Sequence, residues 1–117
     1  MSSFRELLNW LGLGERFAGL VFRDFSTLRV LERPDQERYY PEASRRVPET
    51  GTVRLALAVG QDGVPRRVRL IESSGYLRLD DAAQRLALDF RFSPSDDPTY
   101  RRGWQTRIGV VFRDPDS

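Results

Sequence analysis

The stretch from Leu79 to Phe92 constrains what this chain can fold into more than any other. Its apolar residues fall at Leu79, Ala82, Ala83, Leu86, Ala87 and Phe90, the recurrence that puts one buried stripe on a helix. Asp80 and Asp81 stand in the first turn, where acids favour the positive end of the helix dipole. Pro94 closes the segment, because proline disfavours helical geometry in the residue before it. A helix this short is marginal in isolation, so its stripe needs a sheet to cover it.

Strand patterns stand on both sides of that helix. Val53, Leu55, Leu57 and Val59 share one face of a strand, and Thr52, Arg54, Ala56 and Ala58 share the other, the alternation of a half-buried strand. Gln61-Asp62-Gly63 supplies a turn, with Gly63 tolerating the positive φ that hairpin connections require. The return strand Val64–Ser73 is expected to bury Val68 and Leu70 and to carry Arg66, Arg67 and Arg69. Pro65 cannot donate to a ladder, so this strand is expected at an edge or paired only beyond its first residues. After the helix, Trp104, Thr106, Ile108, Val110 and Phe112 alternate with Arg107 and Arg113.

The first of these strands contains neither proline nor interior glycine, so it belongs at the centre. The expected fold is α+β: a three-stranded antiparallel sheet in the order 2-1-3, with the helices packed on one face. Its other face, of arginines and small residues, is expected to be solvated. The last strand is left with a free edge, and free edges invite another chain to pair.

Upstream, Phe4, Leu7, Leu8, Leu11, Phe17, Leu20 and Val21 form a broken helical pattern. Arg5, Glu6, Glu15, Arg16 and Arg23 interrupt it too often for a membrane span or a signal peptide. This amphipathic amino-terminal helix can pack on the domain or a second copy, meet a partner or membrane interface, or remain a disordered tail. Residues 1–25 are therefore set apart as an appendage, and residues 26–117 as the domain. Within the domain, Ser26–Leu31 alternates as a short extended segment, and Pro41 opens a short helix over Glu42–Arg46.

Composition removes whole classes of chemistry. Cysteine and histidine are absent, which excludes disulfides, thiolate or imidazole metal sites and histidine-activated nucleophiles. Ser73-Ser74-Gly75 has no base to activate a hydroxyl, since lysine is absent as well. The acidic pairs Asp80-Asp81 and Asp96-Asp97 read as a helix start and a loop before Pro98. No catalytic residue, metal or cofactor is expected. All 19 basic residues are arginine, yet the net charge is only +2. That is a coding bias and not the concentrated patch that nucleic acid requires; contact with nucleic acid or peptidoglycan through Arg66, Arg67 and Arg69 is disfavoured.

Taken in order, the short motifs of the domain form a series. They are Tyr40-Pro41 with Ala43, Gly51-Thr52-Val53, Asp62-Gly63, Ile71-Glu72-Ser73-Ser74-Gly75, Leu79-Asp80 with Ala82-Ala83, and Phe90-Arg91-Phe92 with Pro94. From about Arg29 to Arg113 the chain resembles the C-terminal domain of TonB, the periplasmic end of the proton-motive transducer that drives outer-membrane transporters. The resemblance implies capture of an extended transporter peptide, the TonB box, by strand addition. With the strand order, it points to an edge made of Gln105, Thr106, Arg107, Ile108, Gly109, Val110, Val111 and Phe112. The family's segment before Tyr-Pro touches the box peptide, and Gln36, Glu37 and Arg38 hold those positions here.

Family members usually begin with a membrane anchor and a proline-rich spacer, both expected to be missing from this chain. Contact with inner-membrane motor proteins would then run only through an anchor supplied elsewhere. The resemblance implies a periplasmic or inner-membrane-associated protein, while the chain's own pattern leaves the cytoplasm open. The alternative function is a standalone assembly module that uses the same edge for a homodimer or another partner.

Overall fold

The computed structural model describes Phe17 and residues 19–114. In chain order the strands and helices are β1 (Val21–Phe22), β2 (Val30–Glu32), α1 (Gln36–Tyr39), α2 (Glu42–Arg46), β3 (Gly51–Val59), β4 (Pro65–Glu72), α3 (Leu77–Leu88), β5 (Arg91–Phe92) and β6 (Trp104–Phe112). Short 3-10 turns lie at Phe25–Thr27 and Pro98–Tyr100.

The expected order survives as the heart of a larger sheet. β3 pairs antiparallel with β4 on one side and with β6 on the other. The sheet is nevertheless four-stranded and mixed, β1-β6-β3-β4, because β1 lies parallel against the start of β6. Two residues are too few to display a period of two, so no sequence pattern announces β1. A second, two-stranded sheet pairs β2 with β5.

α3 buries the expected stripe: Leu79, Ala82, Ala83, Leu86 and Ala87 all face the sheet. Its limits differ from expectation. It starts at Leu77 and ends at Leu88, so Phe90 and Phe92 lie beyond it. Asp89 and Phe90 donate to the carbonyls of Leu86 and Ala87 at 3.0 and 3.3 Å, three residues back, and these bonds tighten the last turn. The chain then extends, because Phe92 donates to the Gly63 carbonyl at 2.9 Å and pairs with Val30. Gly63 has φ +83°, and a Cβ there would stand 1.9 Å from the Phe92 oxygen. Only glycine permits that hairpin turn to dock on β5.

The main core lies between α3 and the sheet, closed at one end by an aromatic cluster. Phe90 and Phe92 stack at 5.7 Å, and Phe25 meets them edge-on at 5.8 and 6.1 Å. Offset and edge-to-face geometries of this kind suit the ring quadrupole. Of the two β4 residues expected inside, Val68 is half-buried and Leu70 is 39% exposed. As an edge strand β4 has a neighbour on one side only.

The opposite face is not wholly solvated, as it was expected to be. Ala56 and Ala58 are buried there beneath Phe17 and Leu20, and the Arg69 guanidinium lies 5.2 Å from the Phe17 ring. Of the segment set apart as an appendage, Phe17, β1 and Phe25 all touch the domain. The amino-terminal helix over Phe4, Leu7, Leu8 and Leu11 lies outside the described residues.

Candidate functional site

β6 presents two sets of backbone groups. Alternation sends the N–H and C=O of Trp104, Thr106, Ile108, Val110 and Phe112 toward β3, and those of Gln105, Arg107, Gly109 and Val111 away from it. The Gln105 carbonyl confirms this phase, since it accepts from the Arg23 N–H at 2.8 Å. β1 covers the edge only at Trp104 and Gln105. Among the described residues, nothing pairs with the outward groups of Arg107, Gly109 and Val111.

The eight residues expected to form the edge therefore divide. Thr106, Ile108, Val110 and Phe112 are buried, with their side chains in the core and their backbone spent on β3. Gln105 is already engaged: its Nε2 donates to the Leu20 carbonyl at 2.8 Å and the Phe17 carbonyl at 3.4 Å. Arg107, Gly109 and Val111 remain exposed.

Beside the open end lies a cleft of about 420 Å³, lined by Gln36, Glu37, Tyr40, Val111, Phe112 and Arg113. Two of the three expected flanking residues, Gln36 and Glu37, thus stand next to the edge. Arg38 does not; it lines a separate hollow with Arg33, Tyr39 and Asp89. A four-residue helix turns its side chains about 100° per residue, so neighbours cannot all face one groove.

Local chemistry fixes this wall. Asp35 caps α1, its side chain accepting from the Glu37 N–H at 3.0 Å. The Tyr40 hydroxyl donates to the Glu49 carbonyl at 2.6 Å, and Ser44 Oγ donates to Glu49 Oε1 at 2.7 Å. Arg78 closes the network from α3 by pairing with the same carboxylate. Hydrogen bonds from Arg78 and Ser44 hold the Glu49 carboxyl below its ordinary range. Burial pushes the Tyr40 hydroxyl up. Tyr40, Arg113 and Asp114 line the cleft without being among the residues expected from sequence. For Tyr40, the Tyr40-Pro41 motif was the signal.

Asp80 has a job other than balancing the helix dipole. It is 4% exposed; Ser73 Oγ donates to one of its oxygens, and the Ser74 N–H and Oγ donate to the other, both at 2.8 Å. Burial works against its charge, but these bonds outweigh it and leave the carboxyl below its ordinary 3.8. The Ser-Ser-Gly turn is thereby locked onto α3. Among the described residues, no group of acidic side chains is arranged to hold a metal.

The profile of the Gram-negative bacterial TonB protein C-terminal domain matches residues 36–112, more than half of the chain. The chain belongs to that family. Its fold is similar to the solution NMR structure of the Pseudomonas aeruginosa TonB C-terminal domain, with a TM-score of 0.63 at 17% identity. The match covers 82% of this chain and 95% of that one. No curated protein matches in sequence. This TonB-type domain thus belongs to a family of transport and interaction domains. The matched run takes in α1, Tyr40 and all of β6, while β1 and Arg113 lie outside it.

Proposed function

We propose that this TonB-type domain captures an extended peptide of an outer-membrane transporter, the TonB box, by strand addition to the open part of β6, and so contributes to energy-dependent transport. One observation carries the reading. The unpaired backbone of Arg107, Gly109 and Val111 runs beside the Gln36–Glu37–Tyr40 cleft, within the span that matches the family. In this mode main-chain bonds supply the affinity and side-chain pockets the selectivity. The cleft offers both signs of charge, Glu37 and Arg113, at the end of the strand. Such a peptide would meet the domain on the periplasmic side of the outer membrane. No helix among the described residues is long and apolar enough to cross a membrane.

The test is a titration of isotope-labelled protein with transporter amino-terminal peptides. Amide shifts at Arg107, Gly109 and Val111, spreading to Gln36 and Glu37, are the expected result. Gly109→Pro removes an outward N–H that β3 does not use, so the domain stays folded while binding is lost. Ile108 before it is already extended, as a residue preceding proline must be. Shifts confined to Arg66, Arg67 and Arg69, or an edge buried in a self-dimer that no peptide opens, would replace this reading with the assembly one.

A further inference from the structure

Strand addition needs a register, and β6 alone does not supply one: its outward groups repeat every second residue from Gln105 to Val111. We propose that Phe17 and Gly19–Arg23 form a built-in end stop, which occupies the first register of the β6 edge and confines an incoming peptide to Arg107–Val111. The proposal rests on the strand-addition reading above and adds what sets the limit of the bound segment.

The stop is anchored at several independent points. Gly19 turns the chain at φ +78°, with the Leu20 N–H donating back to the Phe17 carbonyl at 3.2 Å. Gln105 Nε2 ties down both carbonyls of that turn. Phe17 is buried over Ala56 and Ala58 on the outer face of the sheet. Val21 and Phe22 then pair in parallel with Trp104 and Gln105. At the far end the Arg23 guanidinium lies over the rings of Tyr100 and Trp104, at 4.4 and 4.7 Å, while its N–H takes the Gln105 carbonyl. Cations over aromatic faces are held by the ring quadrupole. These contacts flank a two-residue strand whose own side chains, Val21 and Phe22, are exposed.

From Asp24 the chain leaves the edge. Asp24 caps the 3-10 turn, its side chain accepting from the Ser26 N–H at 2.9 Å, and Phe25 enters the aromatic cluster. Room for a partner strand therefore begins at Arg107. A bound peptide would lie end to end with β1 and run toward the cleft. Gln105 acts here as a positioning residue: its side chain holds the stop, and its carbonyl is no longer free for a ligand.

Two synthetic transporter amino-terminal peptides test this on the full chain: one spanning Arg107–Val111, the other extended past Gln105 by about 10 Å of strand. In the parent, both bind with the same affinity within about twofold, and nuclear Overhauser contacts of Val21 with Trp104 and of Phe22 with Gln105 persist at saturation. Gln105→Val keeps a strand-forming residue but removes the amide that ties the turn. There the longer peptide gains about threefold to tenfold over the shorter, as newly available main-chain bonds form. If those contacts vanish from the saturated parent and the long peptide pairs with Gln105, β1 is displaceable and the stop is overturned, although strand addition stands. Binding of neither peptide overturns the strand-addition reading and the stop with it. The contacts in the parent decide the matter even where Gln105→Val does not fold.

Discussion

The two faces of the central sheet are covered to very different depths. On one, α3 and the aromatic cluster seal Val53, Leu55, Leu57, Val59 and Trp104 almost completely. On the other, Phe17 and Leu20 shield only Ala56 and Ala58, and Arg54, Arg107 and Val111 stay exposed. The side chains follow the cover: branched and aromatic residues point inward, whereas small ones sit outward where a single ring comes down on them. One face carries the stability of the domain. The other, with the neighbouring edge, stays largely open to solvent.

That contrast can be broken most severely from the sealed face. Phe90→Ala removes a ring that stacks on Phe92 and meets Phe25, and should cost about 3–5 kcal/mol. Chemical denaturation measures it, and a loss below about 1 kcal/mol would mean that the aromatic cluster does not close the core. On the thin face, Phe17→Ala should cost less, about 1.5–3 kcal/mol, with one cooperative transition retained. A loss as large as that of Phe90→Ala would make the outer cover part of the main core.

Asp80 sharpens the comparison at the point where the sealed face meets the Ser-Ser-Gly turn. Its native carboxyl lies below its unfolded value of 3.8, so its contribution is full above that pH and is lost as pH falls through the native value. Asp80→Asn should cost about 1–2 kcal/mol at neutral pH and flatten the decline of stability below about pH 4. Melting curves between neutral and acid pH check both, and an unchanged acid slope would contradict the assignment. At the smallest end, Asp96→Ala lies in an exposed loop and should change stability by less than about 0.5 kcal/mol.

Much of this arrangement was legible in the chain itself. The helical stripe from Leu79 to Ala87, the alternation of β3 and of β6, and the Asp62-Gly63 turn are each decided by near neighbours, and each stands where its pattern puts it. Phe90 and Phe92 were legible as buried anchors but not as non-helical, since a periodic pattern runs on past the point where the backbone turns. The site was legible in outline. Gln36 and Glu37 do flank the end of β6, but Arg38 turns away, and Gln105 is committed to holding the Phe17–Leu20 turn.

The sequence by itself determined the class of fold, its family, the central strand and the absence of cysteine or histidine chemistry. These depend on composition, periodicity and short motifs, all properties of residues close together along the chain. Only the tertiary structure decided how much of the β6 edge is open. That depends on β1, two residues whose pairing comes from Gln105, Tyr100 and Trp104 some eighty positions away. It likewise decided the job of Asp80, which reads as a helix-start acid and serves as a buried acceptor for a turn. A local pattern records which way a side chain should face. It carries no record of which distant donor or acceptor will be waiting there.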